Sequence, residues 1–406
     1  MLRSFRQAGY EVCIFGKNDV YSTEEAALAA DVIRTFPPAN HSAKNTVPFG
    51  EPGYYDFLYE KTEGDWREHN DAKAVEDALA YLRNRKPGDK PFVIFLPLIS
   101  PHCPYTIQDP FYSMYDPDTD VVPLRGHGIG KPAFHELIRR YRELTDEKAL
   151  RRIQAVYMGM VSFTDRLLES LMDCLDQTGL SENTMLIASS DHGDYAGDYG
   201  LVEKWPNAFE DVITRVPLIV RAPGCAQGLR SAEPVEMFDI MATMLDFAQI
   251  KNDETNYACS LRPQLLGGKG DPDRAVFCEG GYDPCETHCN EGYPKPGTSF
   301  MQQKETIYYP KGLQQLEHPE SVCRGVMIRT MTRKLILRSD GENELYDLCN
   351  DPCELHNVYD ASAYEADRLM LSQRLLMWYL RTSDAVPLFE DSRNFTGAEV
   401  VGCLRK

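Results

Sequence analysis

The stretch Thr184-Met185-Leu186-Ile187-Ala188-Ser189-Ser190-Asp191-His192-Gly193-Asp194 decides how this chain is read. Residues 184–188 form a short apolar run, the pattern of a strand covered on both faces. In α/β folds ligands gather at the carboxyl ends of such strands. Asp191 and His192 leave the sheet there, side by side. A carboxylate beside an imidazole can ligate a divalent cation, and the carboxylate favours a hard, oxygen-preferring one. Gly193 lets the backbone turn away sharply. An isolated Asp-His-Gly reads as a turn whose aspartate caps the next element; its surroundings change that reading.

Residues 92–96 (Phe-Val-Ile-Phe-Leu between two prolines) and 218–220 repeat the buried-strand pattern, and 11–15 is a further short strand. Helical periodicity runs through 70–85, 147–178 and 237–247. Helices alternating with buried strands predict an α/β fold with a mostly parallel sheet sandwiched by helices. After Ile250 the character changes. Residues 251–320 are rich in Gly, Pro and Cys, and short strands are expected at 325–330, 334–338 and 344–348, with a hairpin signal at Asp340-Gly341. A helix over 364–380 closes the chain. The expected division is a catalytic domain over 1–255 and, over 256–406, a small C-terminal α+β subdomain with a short antiparallel sheet.

The 406 residues carry a formal net charge of -19, which argues against nucleic acid or an anionic membrane surface as partner. A few cations focused in a cleft can still take an anionic substrate. No apolar run is long enough to span a membrane. Twelve cysteines, many of them after Cys259, predict disulfides and an oxidising compartment: secreted, periplasmic or lysosome-like. The sequons Asn40-His41-Ser42 and Asn394-Phe395-Thr396 fit that compartment, yet residues 1–7 are a charged helix start and not a signal peptide. Cys278, Cys285, His288 and Cys289 have irregular spacing for a zinc site, and disulfide pairing is the expectation there.

The run continues Tyr195-Ala-Gly-Asp-Tyr-Gly-Leu-Val-Glu-Lys204-Trp-Pro, then Glu210, then Arg215-Val-Pro-Leu-Ile-Val-Arg-Ala-Pro-Gly224. This closely resembles the second signature region of the sulfatase family, in the alkaline-phosphatase superfamily. Other stretches fall in the family's order: Ala8-Gly9-Tyr10 with Phe15-Gly16-Lys17; Pro101-His102-Cys103-Pro104-Tyr105; Tyr157, Gly159, Val161 and Asp165 on the long helix; Pro234 to Ile240; Glu344-Leu-Tyr-Asp-Leu with Asn350, Glu354 and Asn357. The resemblance implies that Asp191 and His192 ligate a divalent metal, most often Ca2+. It implies that Lys17 and Lys204 grip the sulfate oxygens and that His102 faces the leaving group. As the S–O bond breaks, charge grows on the oxygens, and preorganised cations in a dry cleft stabilise it.

The pattern departs from the family in three places. The two acidic ligands of the family's first strand are absent from the sequence. So is the nucleophile motif Cys/Ser-x-Pro/Ala-x-Arg, whose cysteine becomes formylglycine; Cys13 lies in an apolar strand and reads as core. Asp19 stands where the family commonly has a histidine. The expectation is a sequence that begins inside the catalytic domain, its missing piece also carrying any signal peptide. The rival is a pseudoenzyme that binds sulfated glycans. The implied activity is sulfate-ester hydrolysis on a sulfated small molecule or glycan, inactive in this chain without the nucleophile. A phosphonate or phosphate ester hydrolase is the alternative. Oligomeric state leaves no trace in the sequence.

Overall fold

The computed structural model describes residues 1–18, 21–37, 43–144, 146–251, 256–295, 299–383, 389–390 and 403–404. Asp19 and both sequons lie outside them.

After helix α1 (Leu2–Gln7), strand β1 (Glu11–Gly16) enters the core. Its alternation assigns two faces. Val12 and Ile14 pack with Leu2 and Phe5 of α1, while Cys13 and Phe15 face Ala78. Helix α2 (Thr23–Ala29) opens with a capping box between Ser22 and Glu25, and β2 (Val32–Thr35) follows. Helix α3 (Asn70–Arg83) buries Ala72, Val75, Ala78, Leu79 and Leu82, the predicted apolar face. It leads to β3 (Phe92–Phe95). These strands form a parallel sheet in the order β2-β1-β3, with Val12 opposite Val93 and Ile14 opposite Ile33. Helices α4 (Ala133–Arg142) and α5 (Glu147–Gln177) follow; α5 presents Ile153, Val156, Met160, Phe163 and Leu167 to the main core.

The next pair corrects one expectation. Strands β4 (Leu186–Ser189) and β5 (Leu218–Arg221) pair antiparallel, apart from the parallel sheet. They are also incompletely covered: Ile219 is 58% exposed. The reason lies in the connection. The chain stays at the end of β4 where it emerges, because Gly193 N–H donates to Ile213 O (2.7 Å) and Ser189 Oγ to Pro217 O (2.9 Å). A strand that starts where its neighbour ends must run the other way. The single turn α6 (Asp211–Thr214) lies in this connection, and α7 (Asp239–Phe247) covers the first sheet with Leu245.

Past the short turn α8 (Arg262–Leu265), β6 (Val276–Gly280), β7 (Gly325–Arg329), β8 (Arg333–Arg338) and β9 (Glu344–Asp347) make the expected antiparallel sheet, in the order β6-β7-β8-β9. Strand β6 is an addition to the expected strands, and so is helix α9 (Tyr309–Glu317) within the Gly/Pro/Cys-rich stretch. One face of the sheet packs on Leu371 and Leu375 of α10 (Glu365–Thr382). The other face meets Phe209 through Met327, Ile336 and Tyr346.

The eleven cysteines from Cys13 to Cys353 are all free, against the expected disulfides. The fold disperses them: Cys278 lies in β6, Cys259 and Cys285 are exposed, and Cys323 is buried beside Asn207 Nδ2 at 3.7 Å. Among the described residues no helix is long and apolar enough to cross a membrane.

Candidate anion-binding site

Each residue singled out in the sequence except Lys204 follows the end of a strand. Lys17 comes directly after β1. Gly16 has φ +122°, and a Cβ there would collide with the Pro97 carbonyl. That same oxygen accepts the Lys17 N–H at 3.0 Å, which fastens the end of β1 to the chain leaving β3. His102 lies beyond β3. The buried Asp71 carboxylate accepts from the Ile99 and Ser100 N–H groups (2.9 and 2.8 Å) and fixes the loop that carries it.

His102 and Lys204 meet at 2.8 Å, Nε2 to Nζ. An ammonium can only donate, so Nε2 must accept, and the ring proton sits on Nδ1. Nδ1 donates in turn to Cys103 O at 2.6 Å. Burial, then the charges of Lys204 and Lys17, hold His102 down at about 4, against an ordinary histidine value of 6.5. The imidazole is therefore neutral, and both lysines act on it. His192 repeats the device: Nδ1 lies 2.7 Å from Gly193 O, which leaves Nε2 toward Asp191 Oδ2 at 3.6 Å. The two imidazole rings are 6.5 Å apart. Gly193 has no room for a side chain, since a Cβ would run into the carbonyl of Val212. The structure thus brings Lys17, His102, His192, Asp191 and Lys204 to one end of the strands.

The donors present bear on the metal expectation. Asp191 Oδ2 lies 3.6 Å from His192 Nε2, and the Asp191 side chain is 81% exposed. Among the described residues no third His, Cys, Asp or Glu completes a set. A hard cation such as Ca2+ takes six to eight oxygens. One carboxylate and one imidazole do not fit such an ion by themselves.

Beneath Lys204 lies a support that sequence reasoning misses. Glu203 is buried, with Oε2 2.9 Å from Arg142 and Oε1 3.0 Å from Lys311. Burial alone would push this carboxyl up; Lys311, Arg142 and Lys204 outweigh it and bring it down to about 2. Tyr105, buried, donates to Asp194 Oδ1 at 2.7 Å and accepts the Glu203 N–H at 2.9 Å. Burial pushes the Asp194 carboxyl up, although Tyr105 and the Ala196 N–H bond to it. Glu203 and Tyr105 stand inside the motifs already quoted. Arg142 and Lys311 lie on α4 and α9, and nothing in their local sequence points here. The whole arrangement offers N–H donors and positive charge to an anion, with its only nearby carboxylates among the described residues engaged or turned to solvent.

Known proteins resemble this chain in sequence and in fold. The sequence model of the family described as "Sulfatase" matches residues 1–250. The multifunctional alkaline phosphatase superfamily protein PehA of Trinickia caryophylli is 26% identical over 332 residues, covering 76% of this chain and 59% of PehA. Across the first curated relatives the chain spans 40% to 70% of their length. The phosphonate monoester hydrolase of Agrobacterium radiobacter shares the fold with a TM-score of 0.68 at 20% identity, covering all of this chain (100%) and 84% of that one. The protein BT4656, solved with its substrate D-glucosamine-2-N,6-O-disulfate, gives a TM-score of 0.64 at 18% identity, with coverage of 95% and 82%.

Proposed function

The chain belongs to the sulfatase family, and from that premise we propose that its strand-end site grips the sulfate group of a sulfate ester, on a small molecule or a glycan. The observation that carries this is the contact of Lys204 with a neutral His102 (2.8 Å), within reach of the Lys17 charge. A lysine ammonium has three donors. One is held by His102, and the others are left for the oxygens of a tetrahedral anion. Lys17 supplies the second charge. His102 stands on the leaving-group side. Being neutral, it serves by holding the Lys204 ammonium in place against an oxygen of the bound ester.

Asp191 and His192 are the residues that would share a divalent cation, Ca2+ by family resemblance, with donors beyond those described; such an ion supplies Lewis acidity toward a sulfate oxygen. The 406 residues contain no Cys/Ser-x-Pro/Ala-x-Arg motif for a formylglycine or serine nucleophile. We therefore assign this chain sulfate-ester binding without turnover. A second reading, a phosphonate or phosphate ester as ligand, is favoured by the fold shared with a phosphonate monoester hydrolase.

Calorimetric titration with inorganic sulfate and with 4-nitrophenyl sulfate tests this. Both should bind, and no nitrophenolate should be released. Lys204→Ala should weaken binding by roughly 10-fold or more, the worth of one charge-assisted hydrogen bond. Unchanged affinity in that variant would remove Lys204 from the site. Release of nitrophenolate by this chain would overturn the assignment of binding without turnover. Tighter binding of phenylphosphonate than of the aryl sulfate would select the second reading.

A further inference from the structure

We propose that Glu203 is the positioning residue for Lys204: its buried carboxylate clamps the left-handed turn that carries the Lys204 ammonium to His102. The proposal rests on the anion-site reading above. Leu201 and Val202 point into the core. At Glu203 the backbone takes φ +63°, a conformation that strains any residue with a side chain. The turn sends the Glu203 side chain inward and the next residue out, so that Lys204 keeps 28% of its side chain exposed beside His102.

What holds the strained turn is on three sides. The Glu203 N–H donates to Tyr105 Oη (2.9 Å), and its carbonyl accepts from Tyr195 N–H (3.0 Å). The carboxylate takes Arg142 from α4 and Lys311 from α9. Arg142 is itself anchored on the Ile307 carbonyl (3.3 Å) and lies over the Phe57 ring at 4.3 Å. Oε1 is shared, since Lys204 Nζ lies 3.9 Å from the oxygen that also holds Lys311. Without this carboxylate Lys204 would stand near Arg142 and Lys311 with no anion between them, and like charges at such separations repel strongly away from bulk water. A flexible lysine then has every reason to turn to solvent. The carboxylate thus keeps an ammonium in place beside others, and does so from behind, where it does not compete for the incoming anion.

The test is a double-variant cycle on inorganic sulfate affinity, with a crystal structure of the Glu203→Gln variant. Gln keeps the shape and removes the charge. Glu203→Gln is expected to weaken sulfate binding about 5- to 10-fold, and to add nothing in a Lys204→Ala background, because it acts only through Lys204. The crystal structure should show Lys204 Nζ out of hydrogen-bonding reach of His102 Nε2. An equal loss with and without Lys204, or unchanged binding by Glu203→Gln, overturns the proposal. If Lys204→Ala binds sulfate as the parent does, the anion-site reading fails. The crystal structure then decides alone: a displaced ammonium supports the positioning role and an unmoved one refutes it. Should Glu203→Gln not fold, Lys311→Met, which loosens one side of the clamp, enters the same cycle. A loss that vanishes in the Lys204→Ala background then supports the proposal, and one that persists there overturns it.

Discussion

Both imidazoles of the site commit Nδ1 to the carbonyl of the residue that follows, Cys103 for His102 and Gly193 for His192. A short local contact thereby orients each ring before any ligand arrives. For His102 the consequence is a protonation state. Its folded value of about 4 lies below the ordinary 6.5 of a free histidine. Between those two pH values the unfolded chain takes up a proton that the folded chain refuses. This group therefore costs no stability above about pH 6.5, and stability falls as pH drops from there to about 4. In urea unfolding the parent should lose more stability between pH 7 and pH 5 than His102→Gln does. Nitrogen-15 shifts of His102 should stay those of the Nδ1–H tautomer at pH 5.5. A ring that titrates near 6.5 would mean that Lys204 does not sit against it in solution.

At the scale of an element, the turn after β4 works because one residue lacks a side chain. Gly193 meets the Val212 carbonyl, and its N–H bonds to Ile213 O at 2.7 Å. Gly193→Ala must push the two chain segments apart. It is expected to lower stability by roughly 1–3 kcal/mol, as overpacking does, and to weaken sulfate binding as well. Denaturant unfolding checks the first and a sulfate titration the second. An alanine variant with parental stability would show that the close approach is not needed. The turn is legible in the sequence because a carboxylate, an imidazole and a glycine must all be next to one another there. Helices α3 and α5 are legible because their apolar faces repeat with the helical period. Strand direction is not: β4 and β5 have the apolar composition of parallel, doubly covered strands, and only the hydrogen bonds that bring the chain back reverse them. Nor is β6, where Val276-Phe-Cys-Glu-Gly280 is too short and too near a Gly/Pro-rich stretch to stand out. Of the site, the residues on quoted motifs are legible and the two cations behind Glu203 are not, since helices distant in sequence deliver them.

Across the molecule the chain is acidic, with a formal net charge of -19, and buried acids are matched by buried cations beside the antiparallel sheet and behind the site. Lys334, with no exposed surface, reaches from β8 to the Phe209 carbonyl (2.9 Å), Asp211 (2.6 Å) and Glu354. Burial would lower this lysine, but Glu354 and Asp211 outweigh it and raise its affinity for the proton. Glu354 also accepts the Asp211 N–H at 2.7 Å, so the joint fixes the segment that runs from Lys204 toward β5. Lys334→Met leaves Glu354 buried without its cation. It should cost roughly 3–5 kcal/mol, the usual penalty for stranding a buried charge. The double change Lys334→Met with Glu354→Gln removes both charges, and Asp211 keeps Arg329 at 2.9 Å. It should therefore be more stable than the single variant, although it carries one more substitution. Denaturant unfolding of the parent, the single and the double variants measures this directly. A double variant no better than the single would mean that the Asp211 contact, and not the Glu354 pair, makes Lys334 necessary.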